Sequence, residues 1–214
     1  MPGLVAARMC SGAFAVVISI VFLWQLMIGQ DIATRAIYAF GTIPALISGR
    51  AGINPELAVI FAPLRLVTGL FLHASAIGVA LNVLALAVYG YLVESSCGRG
   101  RSALLLVVGG VFYMLTVCVM RPDSIAPTVG FDGAIMALFG AAWVLGSAPV
   151  SSTSAIVSVL IKDRARIAAG ALTWLVTGQA FTISSNDLAA LGVALLIGGV
   201  LALILKPTDR SLVT

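Results

Sequence analysis

The chain has 214 residues, of which 61% are hydrophobic and only 9% are charged, and its formal net charge is +4. A soluble domain carries about a quarter charged residues, so this composition excludes an ordinary soluble fold. The mean hydropathy of +1.14 indicates helices that lie in a lipid bilayer. We therefore expect the protein to contact lipid and not to bind nucleic acid.

Six apolar segments follow one another along the sequence, separated by more polar stretches, of which residues 29–73 are the longest. Each crossing of a bilayer needs about 20 predominantly apolar residues. The six segments cover residues 12–28, 74–93, 102–120, 132–148, 167–183 and 188–205. The sequence therefore predicts an all-α polytopic membrane protein in which residues 1–214 form a single domain of six transmembrane helices.

The positions of the basic residues predict how these helices are oriented. With the N-terminus in the cytoplasm, eight of the twelve lysines and arginines fall in cytoplasmic segments, in agreement with the positive-inside rule. Both termini are then cytoplasmic, with residues 206–214 as a short tail. Ten arginines against two lysines hint at a GC-rich bacterial genome, so we expect the plasma (inner) membrane of a bacterium.

The connection between the first two spans, residues 29–73, is predicted to be a long external loop. Loops longer than about 15 residues usually carry function or pack as a unit. Apolar patches at residues 43–47 and 57–66 predict short amphipathic helices in the outer membrane interface.

A series of motifs at fixed spacing lies between residues 63 and 146. The external loop ends in Arg65-Leu66-Val67-Thr68. The second span opens with His73, Gly78 and Asn82 and closes with Glu94 and a glycine-basic stretch at 98–101, and the fourth span opens with Gly130-Phe131-Asp132-Gly133. These motifs resemble those of the rhomboid intramembrane proteases, which implies a six-helix rhomboid-like bundle.

The same resemblance implies that catalysis is lost. Rhomboids carry Gly-x-Ser-Gly with a serine nucleophile where this chain has Asp132. Their catalytic histidine falls at Leu191, or at Ala190 if the register slips by one residue, and neither side chain can accept a proton. Gly78 also replaces a histidine of the family motif. A serine hydroxyl is a poor nucleophile without a neighbouring base. Removing either the serine or the histidine therefore lowers the catalytic rate nearly as much as removing both. We therefore expect no enzyme, but a pseudoprotease with degenerate catalytic positions at Asp132, Leu191 and Gly78.

Small residues are predicted to let the fourth and sixth helices pack closely. Residues four apart share one helix face, and small side chains there allow backbone contact between helices. The predicted packing residues are Gly133, Ala137, Gly140, Ala190, Ala194, Gly198 and Ala202.

Inactive rhomboid relatives are thought to bind membrane proteins, so the resemblance implies an adaptor, chaperone or accessory subunit whose partners are other integral membrane proteins. Arg65, His73, Asn82 and Asp132 are the candidate partner contacts. Simpler roles are a helix cap for Asp132, an interhelical hydrogen bond for Asn82 and an interfacial position for His73. The three cysteines show no metal spacing, and we expect neither metal nor cofactor.

Other side chains receive structural interpretations. Glu94 with Arg99 or Arg101 is predicted to form a cytoplasmic cap, and several aromatic residues are predicted to face lipid or the membrane interface. These aromatic residues are Trp24, Tyr89, Tyr91 and Trp143.

The charged residues of the sequence bear on two other functional classes, an intramembrane aspartyl protease and a transporter. Asp132 and Asp187 could form the paired carboxylates of an intramembrane aspartyl protease if the fourth and sixth helices touch. Against this, Asp187 follows Ser-Ser-Asn, an ordinary helix-cap composition. Transport is disfavoured because charges are nearly absent from the middle of the spans and no inverted repeat is evident.

Overall fold

A computed structural model describes residues 10–50, 63–145, 164–179 and 185–205. The regular structure in these ranges is helical, apart from one isolated bridge, which confirms the predicted all-α class. The helices are α1 (Cys10–Met27), α2 (Gln30–Phe40), α3 (Pro44–Ile47), α4 (Ala76–Cys97), α5 (Arg99–Met120), α6 (Asp132–Leu145), α7 (Arg164–Gln179) and α8 (Ser185–Leu205), and residues 63–68 are also helical.

Each of the six predicted spans overlaps one of these helices. Four of them, α1, α4, α5 and α8, are long and apolar enough to cross a membrane. Helix α6 is apolar but has 14 residues, and α7 has 16. The predicted ends of these two spans, at 146–148 and 180–183, lie outside the described residues, as does the predicted tail at 206–214. The chain is thus a multi-pass helical membrane protein, and the count of six spans stays a prediction.

Helix α6 forms the centre of the bundle. It packs against α5 on one side and α8 on the other, and its residues 133–142 are all buried. Such enclosure agrees with its sequence, which is apolar around the whole circumference and so has no face suited to water. The position of α6 fixes the site described below, because Asp132 is its first residue.

The backbones of α6 and α8 approach each other closely at two glycines. A Cβ atom at Gly140 would lie 2.8 Å from the carbonyl carbon of Leu195, and one at Gly198 would lie 2.5 Å from Cα of Ala137. Ordinary carbon contacts are about 3.5–4.0 Å long, so neither position has room for a side chain. The other residues predicted for helix packing are also buried: Gly133, Ala190, Ala194 and Ala202.

Helix α4 contains a π-helical turn at Leu86–Gly90, so its two halves do not share one continuous α-helical register. At the end of this turn Gly90 faces Ser11 of α1, and a Cβ atom at Gly90 would lie 2.5 Å from Cβ of Ser11. Short π-helical turns are usually single insertions that redirect the residues after them.

Beyond the π-helical turn, the buried Glu94 joins α4 to the first residues of α1. Its carboxylate accepts hydrogen bonds from the backbone N–H groups of Cys10 at 2.9 Å and Ser11 at 3.1 Å, and from the Ser11 hydroxyl at 3.1 Å. A carboxylate is favoured there because the first N–H groups of a helix have no partner within it. Arg99 Nε lies 3.7 Å from Glu94, so the predicted pairing exists, but Glu94 mainly caps α1.

The external segment is held to the bundle by backbone and side-chain hydrogen bonds. Arg65 Nη1 donates to the carbonyl oxygens of Tyr38 at 3.0 Å and Gly41 at 3.1 Å, at the end of α2. A cation is well placed at a helix C-terminus, where carbonyl oxygens lack partners. Thr42 and Thr128 exchange backbone hydrogen bonds of 3.0 and 2.7 Å. The predicted loop is therefore folded over the bundle where it is described; residues 51–62 lie outside the described residues.

Candidate functional site

A polar cavity of about 400 Å³ lies where the beginnings of α4, α6 and α8 meet the end of α5 and one side chain of α7. It brings together residues that the sequence places in separate motifs. The lining residues are His73, Ala74, Ser75, Gly78, Leu81, Tyr113, Arg121, Pro127, Thr128, Val129, Gly130, Asp132, Trp174 and Asp187.

Asp132 lies at this cavity because it begins α6 directly after a glycine turn. Gly130 has a φ of +123°, a backbone conformation that favours glycine over other residues. Phe131 is fully buried and anchors the turn in the core. Oδ1 of Asp132 accepts a hydrogen bond of 3.1 Å from Nδ2 of Asn82, so the carboxylate joins α6 to α4.

The side-chain amide of Asn82 is completely buried and makes contacts in three directions. Nδ2 lies 3.1 Å from Oδ1 of Asp132 and 3.2 Å from Nε2 of His73, and Oδ1 accepts from Trp174 Nε1 at 3.2 Å. A carboxylate only accepts and an indole N–H only donates, so these partners fix one orientation of the amide. Both amide N–H groups are then used inside the protein, and Nε2 of His73 is an acceptor.

His73, the only histidine in the sequence, is buried just before α4. Its Nδ1 lies 3.2 Å from the carbonyl oxygen of Phe71, so Nδ1–H is the donor that fits the acceptor role of Nε2. Its backbone N–H and C=O each pair with the Gln25 side chain of α1 at 3.1 Å. Burial lowers the pKa of His73, and the neighbouring Asp132 acts in the opposite direction. Only 4% of His73 is exposed, so its hydrogen bonds are made inside the protein.

Trp174 of α7 is a part of the site that the sequence motifs did not indicate. Besides donating to Asn82, its ring packs at 6.1 Å from Phe139 of α6 in an edge-on geometry. The available signal was weak: a lone tryptophan beside Thr173 in an otherwise apolar stretch. Trp174 connects α4, α6 and α7 through one side chain.

Arg121 and Asp187 form an ion pair at the cavity, joining the end of α5 to the beginning of α8. In the predicted topology Arg121 is one of the four basic residues in external segments, and the sequence motifs give it no other role. The pair is partly enclosed, with 32% of the Arg121 side chain and 15% of the Asp187 side chain exposed. Asp187 and Asp132 thus line the same cavity, but each is bound by a different donor.

The two other positions predicted to be degenerate lie in different surroundings. Gly78 lines the cavity and donates its backbone N–H to the Ser75 hydroxyl at 3.1 Å, which caps the beginning of α4. Leu191 is buried in the core, one helical turn beyond Asp187, and does not belong to the cavity lining in the described part of the chain.

A second space, an apolar crevice of about 370 Å³, lies between α4 and α7. It shares Leu81 and Trp174 with the polar cavity, so the two spaces are neighbours. Tyr89 lines the crevice but is only 6% exposed and packs edge-on against Phe139 at 4.7 Å, so the expectation that it faces lipid is wrong. The lining residues are Leu81, Leu84, Ala85, Val88, Tyr89, Phe139, Ala169, Gly170, Thr173 and Trp174.

The donor atoms of the cavity are suited to hydrogen bonding and charge pairing. Within the described ranges, no three histidine, cysteine, aspartate or glutamate side chains come together as ligands for a metal ion. Arg65 is not a lining residue of the cavity; it holds the external segment.

Fold and site together define a polytopic helical membrane protein with a polar cavity beside an apolar crevice. A family model described as the rhomboid domain matches residues 61–208, about two thirds of the chain. The chain therefore belongs to the rhomboid family. No significant match was found among curated proteins or among solved structures.

Proposed function

We propose that this protein is a non-catalytic member of the rhomboid family that binds another integral membrane protein, as an adaptor, chaperone or accessory subunit. The observation that carries the proposal is the hydrogen bonding around Asn82. Asp132, at the position that resembles the family's nucleophile, and His73 are both bound to this amide.

The absence of peptidase chemistry is supported by the state of the one histidine. A serine or threonine hydroxyl needs a base within hydrogen-bonding reach to become a nucleophile. Both ring nitrogens of His73 have partners inside the protein, namely Asn82 and the carbonyl oxygen of Phe71. Leu191, which resembles the family's position for the catalytic base, cannot accept a proton.

The state of Asn82 supports the same conclusion. Asn82 resembles the family residue that donates to the oxyanion, and such a donor acts only if it is aimed at the developing charge. Here its two N–H groups are directed to Asp132 and His73, and its carbonyl oxygen to Trp174. The amide therefore holds three helices together instead of facing a substrate.

Binding of a membrane protein is supported by the crevice between α4 and α7. Its lining is almost entirely apolar, and Leu84 and Thr173 on its rim are exposed. Association of helices in lipid depends on close packing and interhelical hydrogen bonds. A transmembrane helix of a partner can pack on the apolar rim while a polar group at its end reaches the adjoining cavity.

The proposal includes the topology predicted from the sequence: six spans, both termini in the cytoplasm and a location in the bacterial inner membrane. In this orientation the cavity lies toward the outer surface, because residues 121–131 connect α5 and α6 on the external side. Reporter fusions after Arg101 and after Arg166 should give a cytoplasmic signal, and a fusion near Arg50 an external one. A cytoplasmic signal near Arg50 would exclude this topology.

An aspartyl protease is the second candidate, because Asp132 and Asp187 line one cavity. Two carboxylates that share a proton must contact each other directly. Asp187 is bound by Arg121 and Asp132 by Asn82, so the hydrogen bonding favours the non-catalytic proposal. Cleavage of a transmembrane substrate by the unmodified chain, lost in both Asp132→Asn and Asp187→Asn, would establish the protease instead.

The binding function can be tested by photo-crosslinking in the native membrane. A photoreactive amino acid at Leu84, on the crevice rim, should give adducts with a membrane protein. The same group at Leu104 is the matched control, because Leu104 is exposed to a similar degree (50% against 59%) but lies on α5, away from the crevice. Thr173→Trp, which narrows the crevice, should reduce the adducts at position 84. Equal adducts at 84 and 104, unaffected by Thr173→Trp, would refute binding at this place.

A further inference from the structure

The charges lining the polar cavity do not balance. In the part of the chain that the structure describes, the lining holds two carboxylates, Asp132 and Asp187, and one guanidinium, Arg121. His73 adds no positive charge, because its Nε2 accepts from Asn82 and its Nδ1 donates to a carbonyl oxygen. The formal charge of the lining is therefore negative by one unit, in a site surrounded by apolar helices where charges are weakly screened.

Aromatic side chains lie beside these carboxylates. Trp174 and Tyr113 both line the cavity, on α7 and α5 respectively. Carboxylates together with the faces of aromatic rings are the groups that bind ammonium and guanidinium ions in proteins. An anionic or purely apolar ligand would leave this combination unused.

The carboxylate of Asp132 is also held in place before any ligand arrives. Asn82 donates to it, and the orientation of Asn82 is fixed in turn by His73 and Trp174. A group that is already ordered loses little freedom on binding, so more of the interaction energy appears as affinity. The geometry thus suits recognition of one cationic group at a defined position.

We propose that the cavity receives a lysine or arginine side chain located at the outer end of the partner's transmembrane helix. This inference rests on the proposed function and names the chemistry of the partner. The apolar part of the helix lies along the crevice between α4 and α7, and its basic side chain passes Leu81 and Trp174, which border both spaces. Basic residues are less frequent on the external side of membrane proteins. A cavity that binds one therefore distinguishes helices with a basic residue at the outer end from the many helices that lack it.

The test uses the purified full chain in nanodiscs of phosphatidylglycerol alone, whose headgroup carries no amine or ammonium group. Two synthetic transmembrane peptides differ only in one residue at the outer end, lysine in one and norleucine in the other, and their binding is measured by fluorescence transfer. We expect the lysine peptide to bind about tenfold more tightly, which corresponds to about 1.4 kcal/mol. Asp132→Asn should remove most of this preference.

Asp31→Asn is the control variant, because Asp31 is an exposed carboxylate on α2, away from the cavity, and the lysine preference should persist in it. Equal binding of the two peptides to the unmodified chain would overturn the cation site while leaving helix binding intact. Binding of neither peptide would overturn the proposed function together with the inference. Loss of the lysine preference on adding phosphatidylethanolamine would assign the cavity to a lipid headgroup and also overturn the inference.

Discussion

Replacing Gly198 by alanine adds one methyl group at the contact between α6 and α8. Its Cβ would lie 2.5 Å from Cα of Ala137, so the two backbones must separate by about 1 Å to reach an ordinary carbon contact. The nearest atoms are all backbone atoms of Ala137, which cannot rotate away as a side chain could. Overpacking of this kind costs about 1–3 kcal/mol, although alanine itself is favoured over glycine in a helix by about 0.5–1 kcal/mol.

Gly192→Ala supplies the matched control on the same helix. Gly192 is exposed, and a Cβ atom there would meet nothing within 4 Å. The helix propensity gained is the same in both variants and cancels in the comparison. Gly198→Ala should therefore be less stable than Gly192→Ala by about 1–3 kcal/mol.

The stability difference can be measured in mild detergent with a thiol-reactive fluorophore. The variants are made with Cys10→Ser, because Cys10 is partly exposed; the remaining Cys97 and Cys118 are both 5% exposed, so they react only when the bundle opens on heating. The unfolding temperature of Gly198→Ala should fall below that of the unmodified chain, while Gly192→Ala should match or exceed it. Identical unfolding temperatures for both variants would show that α6 and α8 are not in backbone contact.

Three further outcomes are expected. Arg65→Gln should lower the free energy of unfolding by about 1 kcal/mol, because the hydrogen bonds to the end of α2 are lost. Arg35→Gln, at an exposed position, should change the free energy of unfolding little. Thermal unfolding of the two variants measures the difference. Burial lowers the pKa of His73 in the folded state, so as the pH falls the unfolded chain becomes protonated at a higher pH than the folded chain. Stability should therefore decrease from about pH 6.5, the pKa of histidine in the unfolded chain, down to the lower pKa of the folded state. His73→Gln should flatten this pH dependence of the unfolding temperature, and an unchanged slope would exclude His73 as its source. Trp174→Phe keeps an aromatic ring but leaves the buried oxygen of Asn82 without its indole donor, which should cost about 1–3 kcal/mol; a fully stable variant would contradict the described network.

Much of the fold could be predicted from composition and spacing. The long apolar segments indicated the helices, because a transmembrane helix is set mainly by the length of its apolar run. The motif spacing indicated the family, which the match over residues 61–208 confirmed. The stripe of Ala190, Ala194, Gly198 and Ala202 marked the face of α8 that is buried.

The interior of the site was less accessible from the sequence. Whether Tyr89 faces lipid or protein depends on how neighbouring helices are rotated, and a helix that is apolar all round carries little information about its rotation. The pairing of Arg121 with Asp187 joins residues 66 positions apart. The role of Trp174 depends on a contact with Asn82 across 92 positions, which no local pattern encodes.

The π-helical turn in α4 changes the relative direction of the polar side chains on either side of it. Asn82 and Glu94 are twelve residues apart, which in an unbroken α-helix would rotate their side chains by roughly 120° relative to each other. One inserted residue at Leu86–Gly90 removes about 100° of that difference. Both buried polar side chains can therefore point into the bundle from one helix, Asn82 toward the cavity and Glu94 toward α1. Deleting a single residue from this turn would restore an unbroken α-helix in which the two side chains are still only about 20° apart, whereas an α-helical turn of the present length would direct one of them toward lipid.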